Sequence, residues 1–447
     1  MYVDRVERHL VRPADSNYQA CVRLCQSAKR LGNCAVYTLR HNLFDNQPFL
    51  RAGDLDKHLR EKYKSDYRDM PSAAAAQRQG QIIAEQFKAF AFASREYKEH
   101  PEKFSGKPRL PGYKRKYRTF VVGRNGYKIE NGILTVTGGS KFGFKGIKVK
   151  CCENQPFNAK ADKAVCGDLR ICSLGHSFAV EITYRLEILA NAVLPDRTNA
   201  LSIDLGIDNF VSCISTRPGI KPFLIKGGSI KSINQWWNKR VAQLSSLGKY
   251  GHIADITLKR NNQINDFLHK ASHAIIGYCK AFDLGTIIIG INPDWKQRCN
   301  LGKVNNQKFV QIPHKEFINK LRYKAEILGI KVIEREESYT SRASSLDFDP
   351  IPKCFQKDEH CTFSGKRVKR GLYKSKNGFF INADINGAIN TMRKELGNDE
   401  WLRAIIQANG GRVDRPVAIR NLHSKIDCAM LLKKGQRTLE TSCVSLR

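Results

Sequence analysis

The run Leu201-Ser202-Ile203-Asp204-Leu205-Gly206-Ile207-Asp208-Asn209 decides how this chain is read. Apolar side chains dominate it up to Asp204, so a pattern typical of a buried strand carries a carboxylate inward. An ionised carboxylate withdrawn from water needs a hydrogen-bonded neighbour, a cation or a metal, unless it merely caps the turn at Gly206. Asp384 bears on that choice. It stands in Ile381-Asn382-Ala383-Asp384-Ile385-Asn386-Gly387-Ala388-Ile389-Asn390, where small and apolar residues open a helical pattern. Alone it could be an N-terminal helix carboxylate. One acid ending a strand and one opening a late helix can also converge on a divalent cation. Hard cations such as Mg2+ take oxygen ligands, and two-metal sites grip the attacking and leaving oxygens of a phosphodiester.

Composition narrows the field. The chain has 447 residues, a length that suggests about three domains of ~150 residues. Lys and Arg number 76 against 42 Asp and Glu, a formal charge of +34, which makes a polyanion the natural partner. Hydrophobic residues make up 41%, enough for packed cores and too many for a disordered basic tail. No apolar run approaches the ~18 residues of a membrane span, and Met1-Tyr2-Val3-Asp4-Arg5 lacks a signal peptide's apolar core. A cytoplasmic protein with no membrane partner is expected. The 14 cysteines include no C-x-x-C, and most read as reduced, buried thiols. Cys354, His360 and Cys361 form the only cluster that hints at zinc, but a structural site needs four ligands, so zinc is not expected.

In chain order, Tyr2, Val3 and Val6 suggest a strand ending near Pro13. Apolar stripes at helical spacing follow at Tyr18 to Leu43, around Leu55, Leu59 and Tyr63, and from about Ser72 to Tyr97. From Gly106 to Arg118 prolines break the helical pattern, and cations alternate with tyrosines. Lys107, Arg109, Tyr113, Lys114, Arg115 and Lys116 there suit nucleic acid, where backbone and unstacked bases are both presented; a solvated linker is the alternative. Short alternating runs at Thr119–Val122, Ile133–Val136, Ile147–Lys150 and Phe178–Tyr184 read as a small antiparallel barrel. A boundary follows near Pro195. Beyond it, Ala200 to Ile207 and Phe210 to Ile214 read as paired strands, Trp236 to Leu244 and Ile253 to Phe282 as helices, Gly285 to Ile291 as a buried strand, Phe317 to Leu328 as a helix and Gly329 to Glu337 as a strand. Strands alternating with helices imply an α/β layer, with a ligand site at the strands' C-terminal ends.

Asp204 in its I-D-L-G-I-D-N setting, N-A-D-I-N-G-A-I-N around Asp384 and the Gly-Lys-Pro-Arg-Leu-Pro element together resemble the TnpB (OrfB) family of transposon-encoded RNA-guided nucleases, related to type V CRISPR effectors. The resemblance spans about Tyr18 to Asn390. It implies a multidomain α+β protein with a β-barrel wedge (1–14 and 108–196), a helical recognition lobe (15–107), and a RuvC-like nuclease domain of RNase H fold (197–337 and 381–425). A basic insert would occupy 338–380 and a loose tail 426–447. The implied partners are a guide RNA and target double-stranded DNA, and the implied cofactor is a pair of Mg2+ ions held by Asp, Glu and Asp.

Asp204 would be the first of these acids and Asp384 the last. At the position of the family's glutamate stands Gly290, which has no side chain to offer. The following strand ends in Glu336 and Glu337, and a carboxylate reaching across from it fits the ~4.8 Å between strands. Pleat alternation lets only one of the two face the site, with Glu337 preferred. The family's zinc-ribbon cysteines are also absent; Arg367, Arg370 and neighbouring lysines make the insert a basic flap over DNA or a solvated charge run. Lys296, in the W-K-Q stretch, joins the expected nucleic-acid contacts. Two rival readings stand beside the endonuclease: a guide-dependent DNA-binding protein that has lost cleavage and acts by occupancy, and a DNA-strand transferase.

Overall fold

Where alternation gives way to a 3.6-residue period after Pro13, the chain passes from sheet to helix. The computed structural model describes residues 2–48, 50–150, 166–187, 195–291, 311–352, 362–397, 399–408, 416–420 and 422. The chain divides into two units, one of Met1–Ile188 with Lys249–Leu258, the other of Leu189–Gly248 with Lys259–Arg447.

The first unit contains β1 (Tyr2–Val11), the helices α1 (Tyr18–Phe44), α2 (Ala52–Lys62), α3 (Lys64–Arg68) and α4 (Ala73–Glu99), and the strands β2 (Phe120–Val122), β3 (Tyr127–Glu130), β4 (Ile133–Val136), β5 (Ile147–Lys148), β6 (Cys166–Leu174) and β7 (Ser177–Glu187). Among the described residues the strands form two antiparallel sheets, ordered β1-β7-β6-β2 and β3-β4-β5. Helix α1 buries Cys21, Leu24, Cys25, Ala28, Leu31, Ala35 and Leu39 at the expected spacing. Helix α4 is capped by Ser72, whose hydroxyl accepts from the Ala75 amide at 3.3 Å. Leu24, Leu31 and Phe87 share one core with Phe120, Leu169 and Phe178 of the sheet. Cys21 and Cys25 here, like Cys213 and Cys279 in the second unit, are buried free thiols.

The second unit contains β8 (Ala200–Leu205), β9 (Asn209–Ser215), β10 (Phe223–Lys226), α5 (Gly228–Ser246), α6 (Tyr250–Ala281, from residue 259), β11 (Thr286–Ile291), α7 (His314–Ile327), β12 (Lys331–Glu336), β13 (Lys366–Lys369), β14 (Leu372–Lys374), β15 (Phe380–Asn382), α8 (Ala383–Leu396), α9 (Glu400–Ala408) and β16 (Val417–Ile419). Its main sheet has the order β12-β11-β8-β9-β10-β16. Short links make β8, β9 and β10 an antiparallel meander, whereas the helical crossover from β10 returns the chain to lay β11 parallel to β8, and β12 follows parallel to β11.

Both faces of this sheet are covered, which is why its strands read as nearly unbroken apolar runs. Leu201, Ile203, Ile287 and Ile289 meet Leu268, Ile275, Phe317 and Leu321 of α6 and α7. Ala200, Ile214, Leu224 and Ile288 meet Ile385, Ala388, Ile389 and Met392 of α8, with Leu402 and Ile405 of α9 behind them. A small antiparallel sheet, β13-β14-β15, leads directly into α8. No helix among the described residues is long and apolar enough to cross a membrane.

Candidate acidic site at the strand ends

Alternation along β8 sends Leu201, Ile203 and Leu205 to the α6–α7 face, and therefore Ser202 and Asp204 to the α8 face. The Ser202 hydroxyl donates to the Ala388 carbonyl at 2.6 Å, fixing α8 against the strand. One residue earlier on α8, Gly387 lets the helix pass over the acid: a Cβ there would lie 3.5–3.7 Å from the Asp204 carboxyl atoms. Burial pushes the Asp204 carboxyl well above the usual carboxylate range, the charges of Glu337 and Asp384 push it further, and Arg367 pulls the other way. Although part of Asp204 still meets solvent, its carboxyl group is the strongly desolvated part, as expected of a charge held beneath a helix.

Next to β8, Ile288 pairs with Ser202 and Ile289 with Ile203, so one more step of the register brings Gly290 beside Asp204. The Glu337 amide donates to the Ile291 carbonyl at 3.2 Å, and its side chain folds back over Gly290. A Cβ at 290 would stand 3.1 Å from Glu337 Oε2 and 3.3 Å from Thr391 Oγ1. The missing side chain on β11 is thus the space that the carboxylate from the end of β12 uses. Glu336 is committed elsewhere. Its carboxylate accepts from the Ser338 amide and pairs with Lys394 at 3.0 Å. Although burial alone would raise it, these bonds hold its carboxyl below the usual range.

Asp384 opens α8, where the Asn382 side chain caps the helix by accepting from the Asp384 and Ile385 amides at 3.0 and 3.2 Å. Its carboxylate accepts from Asn209 Nδ2 at 2.5 Å, and Asn209 in turn accepts from Lys226 Nζ at 2.6 Å. Arg367 of β13 comes within 3.6 Å of Asp384. Among the described residues no three His, Cys, Asp or Glu side chains stand as a group that could hold a metal ion in this conformation. Asp204 feels the charges of Glu337 and Asp384, but Asp384 is turned to Asn209 and Arg367. The donor set, all carboxylate oxygens, has the chemistry a hard divalent cation takes, and the glycines at 290 and 387 keep open the space around it.

Sequence reasoning missed the supporting residues. Asn386 and Asn390, four apart on α8, are buried and hold the loop after β12: Asn386 Nδ2 donates to the Ala343 carbonyl at 2.8 Å, and Asn390 Nδ2 to those of Thr340 and Ala343 at 2.8 and 2.7 Å. Asparagines at helical spacing inside an apolar stripe were the available signal, because a buried amide needs partners. Asn209 and Lys226 carried no such mark.

The insert is held by a polar knot. Asp349 accepts from the Ser344 and Ser364 amides at 2.7 and 3.0 Å and from the Ser364 hydroxyl at 2.6 Å. Asp347 accepts from the Ser344 hydroxyl at 2.6 Å and the Lys376 amide at 2.8 Å. Cys354, His360 and Cys361 lie outside the described residues, as does Lys296. Arg370 pairs with Asp208, beside Lys231. In the first unit Lys107, Arg109, Tyr113, Lys114, Arg115 and Lys116 are exposed on a segment without regular secondary structure.

The chain is thus a mixed α+β protein that gathers carboxylates at the ends of parallel strands. Comparison with known proteins shows what it is similar to. Residues 180–295 match the family described as probable transposase, OrfB_IS605, and residues 314–391 match the Cas12f1-like TNB domain. The chain is 22% identical over 241 residues to the CRISPR-associated endodeoxyribonuclease Cas12f2 of Micrarchaeota archaeon (strain CG1_02_47_40), covering 52% of this chain and 42% of that one. It is 25% identical over 224 residues to the TnpB-like protein ORF457 of Acidianus two-tailed virus, covering 45% and 43%. In fold it is similar to the protein in a cryo-EM structure of a Cas12f1-sgRNA-target DNA complex, with a TM-score of 0.50, 14% identity, and coverage of 84% of this chain and 82% of that one. These matches support kinship with the TnpB and type V effector proteins. The matched part spans under half the length of each of these two curated relatives.

Proposed function

We propose that this protein is an RNA-guided DNA endonuclease that hydrolyses phosphodiesters with Asp204, Glu337 and Asp384. The observation that carries the reading is the fit between Gly290 and Glu337: the carboxylate stands where a β11 side chain would otherwise be. The order of the main sheet, with β9 antiparallel and β8, β11 and β12 parallel, supports a RuvC-like domain of RNase H fold at 197–337 and 381–425. The segments 1–14 and 108–196 would form the wedge, 15–107 the recognition lobe and 338–380 the insert.

In this mechanism base pairing with a guide RNA selects the target, and the protein reads a short flanking motif. The relatives' names, an endodeoxyribonuclease and a Cas12f1-sgRNA-target DNA complex, favour guide RNA and double-stranded DNA as partners. Asp204, Glu337 and Asp384 would hold two Mg2+ ions, with Asn209 orienting the Asp384 carboxylate. Bound there, the pair would supply Lewis acidity for activating a water and for stabilising the leaving 3′ oxygen. Gly387 lets α8 pass close over Asp204, and Arg367 would offer positive charge beside the scissile strand. The products would carry 5′ phosphate and 3′ hydroxyl ends.

The test is a plasmid target library incubated with Mg2+ and the protein carrying its co-purified RNA, comparing wild type with Asp204→Ala and Glu337→Ala. Nicked or linear product lost in both variants is expected. Stable target binding by the wild type with no product would instead establish the occupancy reading.

A further inference from the structure

The segment that follows α4 builds a pocket whose floor is an arginine without a counter-ion. Arg118 is only 7% exposed, and burial pulls its guanidinium below the usual arginine range with no carboxylate acting on it. Its Nε, buried, has no hydrogen-bond partner. Its terminal nitrogen reaches Asn33 Oδ1 and the Gly112 carbonyl only at 3.4 and 3.5 Å, the long end of hydrogen bonding. The fold accommodates this side chain at a specific place: a Cβ at Gly32 of α1 would lie 2.6 Å from Arg118 Cδ and Nε. A buried cation left without an anion is unfavourable, so the arrangement calls for a ligand.

The walls are preformed. Asn33 exchanges two hydrogen bonds of 3.0 Å with the Lys114 backbone, and Arg40 donates to the Pro111 carbonyl at 3.2 Å, tying the segment to α1. Between it and α4 lies a cavity of about 450 Å³ lined by Phe90, Ala93, Pro108, Pro111, Arg109 and Lys114, with Arg118 among them. Apolar surfaces and three cations therefore share one small space.

We propose that this pocket receives one unstacked nucleotide of a bound nucleic-acid strand. Its phosphate meets Arg118, flanked by Arg109 and Lys114, while its base lies on Phe90 and the proline rings. Arg118 needs an anion, and the apolar walls suit a base face better than a second charge. The inference deepens the nucleic-acid reading above by assigning it a site, without requiring cleavage.

The test uses the full chain stripped of nucleic acid, with fluorescein-labelled oligoadenylate read by anisotropy, inorganic polyphosphate as a charge-only probe, and adenosine monophosphate as competitor. Phe90→Ala is expected to weaken oligoadenylate binding about tenfold with polyphosphate binding and the melting temperature unchanged, and Arg118→Lys to weaken oligoadenylate about tenfold and polyphosphate less. Arg109→Ala, on the rim, keeps the test open should Arg118→Lys melt early, and it is expected to weaken oligoadenylate more than polyphosphate. Equal losses for both probes, or unchanged oligoadenylate affinity in Phe90→Ala and Arg109→Ala, overturn the proposal. Competition by the monophosphate as strong as by the oligomer also overturns it, because the site would then serve a free nucleotide. Failure of guided cleavage leaves this binding test untouched, and failure here leaves the acidic site standing.

Discussion

Replacing Gly290 by alanine tests the relocated carboxylate most directly, because the change adds one methyl group in tight contact with two named atoms. That methyl would stand 3.1 Å from Glu337 Oε2 and 3.3 Å from Thr391 Oγ1, so the glutamate must yield by a few tenths of an ångström. Alanine in a strand interior recovers roughly 0.5–1 kcal/mol of the flexibility glycine loses on folding, while overpacking costs about 1–3 kcal/mol. The net change in stability should be about 2 kcal/mol or less, visible as a modest shift in melting temperature. Catalysis is more exacting. If a displacement near 1 Å costs about 100-fold, a few tenths should cost roughly five- to tenfold. The assay is the initial rate of guided plasmid cleavage at saturating Mg2+, with a thermal melt on the same preparation. Gly290→Val, which adds bulk in the same place, should lose far more rate. Wild-type cleavage by both variants, with intact melts, would refute the idea that Glu337 works from this position.

Further outcomes follow from the same contacts. Glu337→Gln should lower cleavage about 100-fold or more, whereas Glu336→Gln, whose partner is Lys394 at 3.0 Å, should cleave normally and lose about 1 kcal/mol or less of stability in urea titration. Asp349→Ala leaves three donors on Ser344 and Ser364 without their acceptor; at ~1–3 kcal/mol for an orphaned buried group, the insert should become the first site of limited proteolysis. Tyr373 is buried in the insert's sheet and donates to the Arg342 carbonyl at 2.6 Å. Burial first, then Asp349 and Asp347, push its phenol up from the ordinary 10.0 to about 12. Because the folded value lies above the unfolded one, its stabilisation is fully present below pH 10 and is lost as pH rises through about 12. Wild type should therefore lose up to ~3 kcal/mol across that window relative to Tyr373→Phe; parallel stability curves for the two proteins would count against it.

How much of this was legible in the sequence depends on the range of the interaction that decides each element. Helix α1 and strands β8, β11 and β12 were readable because each is an apolar run whose period alone selects its state. Strand β6 was not readable: Gly167 and Asp168 fall at a register irregularity between Cys166 and Leu169, which breaks the alternation that marks a strand. Strand β3 could have been found. Asn131 and Gly132, between β3 and β4, both adopt left-handed conformations with φ of 50° and 71°, and Asn-Gly between two short alternating runs is a strong local sign of a hairpin. Strand β13 was hidden by its own composition, since Lys366-Arg367-Val368-Lys369 is exposed along its length and has no buried face to produce a pattern.

The acidic site divides along the same line. Asp204 and Asp384 were conspicuous because each interrupts an apolar pattern, and a charge inside such a pattern has to be explained by something outside it. Pleat alternation limited the remaining acid to one of Glu336 and Glu337 and gave only a slight preference for Glu337, since both sit at a strand end where the pleat dissolves. The distinction comes from Lys394, far away in sequence, which engages Glu336 together with the Ser338 carbonyl. Asn209, which holds the Asp384 carboxylate, is equally silent in sequence, because asparagine after a turn is common for local reasons. A glycine where a family glutamate belongs reads in sequence as a loss. In three dimensions it is one half of a pair: with any larger residue at 290, the Glu337 carboxylate would be displaced. The two positions therefore constrain each other. Restoring a glutamate at 290 in the Glu337→Ala background should recover part of the lost cleavage, while adding it to the wild type should crowd two carboxylates into one space and lower both stability and rate.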